Sequence, residues 1–477
     1  MAFNSYAYLA LLLPAVTFYW LLPDRFRIRY VIAVSLAFYA SWHAAYTPLP
    51  LLICAVALAC GRKIEAGGER KTLWLRLGIA SGLVVLALFK YRVFLLGLVN
   101  APLTALGRAP LTAPALLLPL GISFYVFESV SYLLDTYQGR VKKIKYEELA
   151  LFVLFWPHLM AGPLVRVREL IPQFAKPKTF DGEKALQGLD RLLLGLVQKN
   201  LLSNTLGGLI EEGYLPRAAQ TNSTIDSWFL AFGFGLQIYF DFASYSNMAI
   251  GAAQLLGITL PENFRHPYHA STPPEFWTRW HMTLSRWIRD YLFFPINARY
   301  EGRPLPLYVS LVGIMGLVGL WHGAGFGFIL WGVLHGVYLV LYRMWESFTE
   351  ARPKLKASRV AALGWRIFTL FAVMAAWIPF RATTLRQTGL LLRSMLVKPT
   401  FHISYGVNSY LLVAIVAGYC VIEPWLGDRF EALVTKAAPG RRELVGRHLI
   451  RPLMYAAGLF LFLIFDDQDR AFIYFQF

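Results

Sequence analysis

Apolar segments separated by short polar connections recur along the whole chain. Several approach the ~20 residues that a helix needs to cross the hydrocarbon layer of a bilayer, whereas others are short or are broken by Gly and Pro and predict re-entrant segments. The pattern predicts an all-α polytopic membrane protein with about ten to twelve transmembrane helices plus re-entrant and amphipathic helices. The segments are residues 6–22, 28–42, 48–60, 73–89, 114–134, 149–165, 189–210, 225–256, 305–322, 326–342, 363–380, 407–426 and 449–465.

Composition agrees with this pattern. Of the 477 residues, 57% are hydrophobic and 16% are charged, against about 25% charged in an ordinary soluble domain. The longest polar connection, residues 166–184, is too short for a soluble domain, so residues 1–477 are predicted to form a single transmembrane domain. The first residues carry no basic region followed by a cleavage site, which favours a first span over a removed signal peptide.

Lysine and arginine predict the orientation. The loops 24–29, 61–71 and 139–148 are basic, whereas the loops 41–48 and 100–114 hold at most one charge each. The positive-inside rule therefore places the N-terminus outside and the arginines of residues 441–451 inside. After a last span, the tail of residues 466–477 is predicted to lie outside the cytoplasm.

The same distribution of charge argues against a nucleic-acid partner. The net charge is +18, and basic loops beside an anionic inner leaflet account for it, with membrane lipid as the partner. Cys54, Cys60 and Cys420 lie in apolar segments without CxxC spacing. They predict small core residues, with no disulfide framework and no metal site.

Six of the ionisable residues at predicted membrane depth are candidates for function, because each costs free energy there unless it is paired or hydrated. They are Glu128, Asp135, His158, Asp241, His322 and His335. Each could simply hydrogen-bond a neighbouring helix. His322 differs because "GLWHGAGFG" surrounds it with glycines that allow close approach and with aromatic rings that exclude water. An imidazole there suits proton transfer from a hydroxyl acceptor near neutral pH.

A second informative stretch is "PPEFWTRWHMTLSRWIRDYLFFP", residues 273–295. Pro274 can open a helix and Pro295 would end one. Helical spacing gives an apolar stripe, a polar stripe and a third face that holds His281 and Ser285, which predicts one amphipathic helix at the membrane surface. The helix could serve only as an anchor, but its arginines would also suit the phosphates of a donor. The stripes are Trp280, Leu284, Trp287 and Tyr291 on the apolar side, and Arg279, Thr283, Arg286 and Asp290 on the polar side.

Together these motifs resemble the membrane-bound O-acyltransferase family. Its bacterial branch, which acts in alginate O-acetylation and teichoic-acid D-alanyl transfer, has a similar tryptophan- and arginine-rich helix and a "GLWHG" histidine. The resemblance continues in the same order through most of the chain, and includes "FIYFQF" at 472–477. The further segments are 118–139, 155–166, 237–251 and 331–336.

The resemblance implies a helical shell around a central tunnel, with His322 as the catalytic residue and His281 as a second functional histidine. The expected acyl donor is acetyl-coenzyme A on the cytoplasmic side, with no bound cofactor, and the guanidinium groups of Arg279, Arg286 and Arg289 are expected to bind its phosphates. "FIYFQF" resembles the end of a single-helix partner in teichoic-acid D-alanylation. Tyr474 could therefore carry the acyl group as an ester, or the motif could be only an aromatic interface anchor.

The expected function is passage of an acyl group, most simply acetyl, to the outside of the bacterial inner membrane for O-acetylation of a cell-envelope polysaccharide such as alginate. An outer acetyltransferase partner of the SGNH type would then serve the polysaccharide acceptor. One alternative is D-alanyl or other acyl transfer to teichoic acid, lipid or protein. Another is a transporter whose buried histidines and carboxylates relay protons, which predicts flux without acyl chemistry.

Overall fold

The computed structural model describes residues 2–215, 217–298, 303–397, 400–436, 450–465 and 470–473. Within these ranges the chain forms helices and no β-strand, so the predicted all-α class is confirmed. The backbone divides into two compact units. The first contains the chain up to Leu192 and Tyr245–Glu262, and the second contains Leu193–Ser244 and Asn263–Ile473.

The first unit begins with apolar helices joined by short connections. A capping serine starts α1, where the Ser5 hydroxyl accepts the Tyr8 N–H. The unit also includes the start of α9 and the end of α12. Its helices are α1 (Tyr6–Leu21), α2 (Asp24–His43), α3 (Pro48–Glu65), α4 (Lys71–Phe89), α5 (Arg92–Ala105), α6 (Ile122–Tyr137), α7 (Tyr146–Leu154), α8 (Val167–Ala175) and α9 (Gly182–Val197).

Small residues set the packing of α3, α4 and α6 within the first unit. A Cβ atom placed on Gly78 would come within 2.6 Å of the Leu133 side chain, and one on Gly82 within 2.9 Å of Val126. Both glycines therefore let α4 lie directly against α6, as small residues do in membrane helices. Gly121, with a φ of 70°, is needed for its left-handed backbone at the start of α6.

The second unit carries the two histidine motifs. Its helices are α10 (Thr205–Ile210), α11 (Ala218–Thr221), most of α12 (Thr224–Leu255), α13 (Pro273–Arg279), α14 (Met282–Ile288), α15 (Phe294–Asn297), α16 (Pro304–His322), α17 (Phe326–Glu350), α18 (Pro353–Lys356), α19 (Arg359–Arg381), α20 (Leu385–Leu396), α21 (Val407–Lys436) and α22 (Arg451–Ile464). Two π-helical turns, Gln198–Asn204 and Arg289–Phe293, lie between α-helices of this unit.

Several helices are long and apolar enough to cross a membrane, which makes this a multi-pass membrane protein. In the described part of the chain they number five, or up to six if the bent pair Asp24–Tyr46 and Pro48–Glu65, with 101° between its halves, is one span. They do not confirm the predicted ten to twelve crossings. The five are Lys71–Phe89, Pro304–His322, Phe326–Glu350, Arg359–Arg381 and Val407–Trp425.

The prediction of one amphipathic helix over residues 273–295 is wrong. α13 ends at Arg279, and α14 begins at Met282 after a break at His281, whose φ of 43° and ψ of 51° lie in the left-handed region. This conformation is costly for a residue with a Cβ atom and needs its surroundings to impose it. Asn263 does so from 18 residues away, because its backbone carbonyl accepts the Met282 N–H at 2.9 Å.

Pro295 does not end the helix as predicted. The chain remains helical from α14 through the π-helical turn Arg289–Phe293 into α15, and Pro295 lies in the first turn of α15. A proline lacks the N–H that a continuous α-helix would use. The wider π turn before it changes the hydrogen-bonding register, and so accommodates the proline without a break.

Candidate active site

His322 is the last residue of α16 and lies in a cage of aromatic rings. Its side chain is buried, and its ring centroid lies 4.9 Å from that of Trp321, 5.1 Å from Trp331 and 5.6 Å from Phe380. These rings come from α16, α17 and α19, so three helices enclose the imidazole. His322 thus lies at the carbonyl end of α16.

Glycines bring α16 and α17 close enough to form this cage. A Cβ atom on Gly319 would collide with the backbone carbonyl of Phe328, and one on Gly332 with that of Met315. The two helices therefore pack backbone against backbone, which is the small-residue packing typical of membrane helices. This packing places Trp331 of α17 directly beside His322.

His281 lies next to His322, with 6.4 Å between the ring centroids. Its side chain is fully buried, and the edge of its ring meets the Phe242 ring at 4.6 Å. Its Nδ1 lies 3.1 Å from Oδ1 of Asn263. Since a carbonyl oxygen can only accept, Nδ1 carries the proton and Nε2 has a lone pair. Among the described residues, Nε2 of His281 has no hydrogen-bond partner, and burial lowers the pKa of His281 to about 3.

Asn263 orients this histidine and is a residue that the sequence prediction missed. Its buried Oδ1 also accepts the Thr283 hydroxyl at 2.9 Å, so one amide fixes both the ring of His281 and the start of α14. The asparagine lies in the loop after α12, and no periodicity marks it. Its position between Pro261 and Pro267 is the only local signal of a fixed loop.

His335 lies behind the aromatic cage. Its ring packs at 4.9 Å from Trp331, stacks on Phe276 at 5.7 Å and meets the edge of Trp277 at 5.1 Å. α16 ends at His322 and α17 begins at Phe326, so the two histidines do not share one continuous helix. Trp331 contacts both rings, so His335 packs against the cage from behind and is a candidate support residue.

The three candidate donor-binding arginines separate into two groups. Arg286 and Arg289 line a cavity of about 440 Å³ whose other walls are largely apolar and include Trp277 and Met315. Arg279 does not line the cavity and pairs with Glu275 at 2.7 Å, whereas Arg289 lines the cavity and pairs with its neighbour Asp290 at 2.9 Å. The cavity therefore combines two exposed guanidinium groups at one place with an apolar interior.

The other ionisable candidates have charged partners within their own units. In the first unit, Nδ1 of His158 lies 2.8 Å from Oε1 of Glu128, and Asp135 lies 3.5 Å from Arg140. In the second unit, Asp241 lies 2.7 Å from the ammonium group of Lys199 and accepts the Ser203 hydroxyl at 3.0 Å.

The beginning of the "FIYFQF" motif lies at this last pair. The Ile473 N–H donates to Oδ2 of Asp241 at 2.7 Å, and the Lys199 ammonium lies 4.4 Å from the Phe472 ring centroid. Tyr474, the predicted acyl carrier, lies outside the described residues. The next residue after Asp241 in α12 is Phe242, which contacts His281, so adjacent residues of one helix reach the tail and the histidine pair.

Comparisons with known proteins identify the family of the chain. The sequence pattern of the membrane-bound O-acyltransferase family matches residues 69–381, which include both histidines. The chain is 37% identical over 390 residues to the probable alginate O-acetylase AlgI of Azotobacter vinelandii, covering 81% of this chain and 76% of the relative. It is 36% identical over 458 residues to that of Pseudomonas aeruginosa, covering 93% and 86%.

A third relative differs in the acceptor that its name gives. The peptidoglycan O-acetyltransferase of Helicobacter pylori is 32% identical over 397 residues, which cover 77% of this chain and 73% of the relative. The family match and the alignments with these relatives each cover most of the chain. The protein therefore belongs to the membrane-bound O-acyltransferase family.

Proposed function

We propose that this O-acyltransferase takes an acetyl group from acetyl-coenzyme A at the cytoplasmic face and delivers it outside for O-acetylation of a cell-envelope polysaccharide such as alginate. The observation that carries the proposal is the buried pair His281 and His322, with 6.4 Å between ring centroids inside an aromatic cage. The names of the compared relatives, two alginate O-acetylases and a peptidoglycan O-acetyltransferase, favour acetyl over D-alanyl transfer.

His322 acts as the general base. It takes the proton from an acceptor hydroxyl, whose oxygen attacks the thioester carbonyl. The new C–O bond forms as the C–S bond breaks, and the proton passes to the thiolate that leaves. Positioned bases of this kind contribute typically ~10²- to 10⁴-fold in rate. His281 relays or orients, because Asn263 fixes its ring with Nε2 free to accept a proton.

The cavity beside α14 binds the donor. Guanidinium groups make strong charge-assisted hydrogen bonds to phosphates, and Arg286 and Arg289 line this cavity. Its apolar interior suits the less polar arm that carries the thioester. Trp277 lines the cavity and its ring lies 5.9 Å from that of Trp331, which in turn contacts His322. Two ring contacts thus connect the donor site to the base.

Tyr474 is the first acceptor and carries acetyl as a phenolic ester. Its neighbour Ile473 is held by Asp241, and the residue after Asp241, Phe242, contacts His281. A covalent relay splits transfer across a membrane into two steps that each need only a short reach. The second step passes acetyl to an extracytoplasmic SGNH-type acetyltransferase and then to the polysaccharide.

This relay needs a passage through the protein, which we place in the bacterial inner membrane. The expected ten to twelve crossings around a central tunnel would supply it, with the tail of residues 466–477 on the outer side. Basic loops at 24–29, 61–71 and 139–148 support the corresponding orientation. A cytosolic donor and an outer acceptor could then reach the same catalytic histidine.

The test is transfer from isotope-labelled acetyl-coenzyme A by the full-length protein in proteoliposomes. The wild-type C-terminal peptide should gain one acetyl mass increment, and Tyr474→Phe should lose both the label and transfer to an outer acceptor. Tyr30→Phe is the matched control, because the Tyr30 hydroxyl donates to the backbone carbonyl of Pro14 near the surface of the first unit. It should leave labelling unchanged.

Three results would count against the proposal. Full transfer by Tyr474→Phe would leave "FIYFQF" as an aromatic interface anchor. Uptake of solute without any labelled acetyl product would favour a transporter instead. Labelling from a D-alanyl carrier but not from acetyl-coenzyme A would move the donor assignment to D-alanyl transfer.

A further inference from the structure

A set of buried polar residues holds the beginning of the C-terminal tail. The π-helical turn Gln198–Asn204 presents Lys199 and Ser203, four residues apart, toward Asp241 of α12. All three are almost fully buried. π-Helical turns are uncommon and frequently occur at functional sites, and here the turn brings an ammonium group and a hydroxyl to one carboxylate oxygen.

The tail completes the hydrogen bonding of this carboxylate. Oδ1 of Asp241 accepts from Lys199 and Ser203, and Oδ2 accepts the Ile473 N–H at 2.7 Å. The Phe472 ring covers the Lys199 ammonium at 4.4 Å. Burying a charged pair costs free energy unless the remaining lone pairs and protons are satisfied. The backbone and the ring of the tail therefore supply contacts that the Lys199–Asp241 pair needs.

A second contact holds the tail three residues earlier. The Arg470 guanidinium donates to Oε2 of Glu211 at 3.0 Å. It lies over the glycine pair of α10, because a Cβ atom on Gly207 would come within 2.9 Å of one guanidinium nitrogen and one on Gly208 within 3.6 Å of the other. The glycines leave room for the guanidinium, so the tail is fixed by an ion pair at one end and by a backbone hydrogen bond at the other.

We propose that Lys199, Ser203, Asp241, Gly207 and Glu211 form a tail clamp, which holds residues 470–473 and thereby positions Tyr474 for acyl transfer. The positioning part rests on the proposed relay function. Consecutive Cα atoms are 3.8 Å apart, so holding Ile473 in place would limit the distance that the next residue of the chain could move. The clamp residues are positioning residues, since they touch the tail and not the reacting atoms.

The test uses a charge swap at the exposed end of the clamp, because changes at the buried Lys199–Asp241 pair could unfold the protein. The full-length variants are Arg470→Glu, Glu211→Arg and the double variant. Arg343→Glu is the matched control, since Arg343 forms an exposed ion pair with Glu346 at 3.2 Å in the same unit. Carboxypeptidase digestion of the detergent-solubilised protein, followed by intact mass, reports whether the tail is held.

In the wild-type protein, digestion by carboxypeptidase should slow at Ile473, because the Ile473 N–H must first be released from Asp241. Each single variant should be digested past Ile473 about tenfold or more faster, and the double variant should return to within about twofold of wild type. The control should behave as wild type. Equal digestion of wild type and both single variants would overturn the clamp.

Acetyl loading of Tyr474 separates the clamp from the relay. The single variants should load about tenfold or more slowly at saturating donor with an unchanged donor KM, because misplacement by about 1 Å costs that much or more, and the double variant should recover. Loading at the wild-type rate from a released tail would overturn the positioning role but leave the relay intact. A clamp confirmed by digestion, with no acetyl on wild-type Tyr474, would sink the relay instead.

Discussion

We call His281 and His322, with their surrounding rings, the histidine centre. The histidine centre contacts Phe242 of α12, and the tail clamp contains the preceding residue, Asp241. The two regions differ in how the hydrogen bonds of their polar atoms are satisfied. In the tail clamp, Asp241 accepts from three donors. In the histidine centre, and among the described residues, Nε2 of His281 and the indole N–H of Trp331 have no hydrogen-bond partner.

An unsatisfied buried polar group costs about 1–3 kcal/mol. A protein tolerates that cost where a ligand or a reacting group provides the missing partner. A carboxylate with every oxygen occupied cannot take part in proton transfer without breaking those contacts. This difference supports the proposed roles, in which the histidine centre reacts and the tail clamp holds the tail.

The largest effect should follow from His322→Ala, which removes the proposed general base. Transfer should fall by ~10²-fold or more, the range of general-base contributions, while the melting temperature in detergent changes little. The tail should also stay protected from carboxypeptidase, because His322 has no role in the clamp. Steady-state transfer and digestion on the same preparation check both statements.

His335→Ala is the matched control for this substitution. It removes the same side chain from the other side of Trp331, whose ring lies 4.9 Å from His335 and 5.1 Å from His322. We expect the stability of His335→Ala to fall because packing is lost, and we expect its acetyl transfer to be retained. Transfer above a third of wild type in His322→Ala would remove His322 from the catalytic role.

Lys199→Met should differ from His322→Ala, because its main effect should be a loss of stability. It leaves Asp241 as a buried charge without its cation, and breaking a buried pair in this way costs about 3–5 kcal/mol. A clearly lower melting temperature in detergent is the measurement. Lys184→Met is the control, because Lys184 pairs with Asp181 at 3.3 Å on the surface, where such pairs contribute about 0–1 kcal/mol. Equal melting temperatures for the two variants would contradict the holding role.

Asn263→Ala should have a smaller effect on rate than His322→Ala. It removes the acceptor that fixes Nδ1 of His281, so transfer should fall about tenfold through misplacement of the ring, with an unchanged donor KM. Asn263→Asp keeps an acceptor and should restore most of the rate.

The pH profile of Asn263→Asp distinguishes orientation of His281 from a general structural role. Burial holds the pKa of His281 at about 3, and a carboxylate beside Nδ1 favours the charged imidazole and raises that pKa. The acid limb of transfer should therefore move to higher pH. An unmoved limb with full rescue would mean that Asn263 supports only the backbone of α14.

Sequence reasoning recovered what depends on local pattern. The apolar segments give the all-α membrane class, and the glycines and aromatic residues around His322 single it out, because close packing and water exclusion leave a compositional trace. Asp241 was found as an ionisable residue in an apolar segment. Its partner Lys199 was not, although it lies inside the apolar segment 189–210, because a local pattern does not show which distant residue a lysine meets.

Contacts between distant segments could not be predicted. Helical periodicity places Thr283 on a polar outer stripe with Arg279, yet Thr283 is buried and donates to Asn263. The break at His281 rotates α14 relative to α13, and its cause is a loop 18 residues earlier. A local pattern carries no information about such a contact, so faces assigned across the break are unreliable.

The smallest expected effect concerns the donor cavity and extends the comparison to exposed charge. Arg286→Gln and Arg289→Gln should each raise the KM for acetyl-coenzyme A by about threefold to tenfold, because each loses a charge-assisted contact to phosphate in a partly hydrated setting. The kcat should hold, since contacts made equally in the bound complex and the transition state affect only KM.

Arg279→Gln is the control, because Arg279 pairs with Glu275 and does not line the cavity. Donor titration in proteoliposomes measures all three. The same KM in every variant would make α13 to α15 a membrane anchor and move the phosphate site elsewhere.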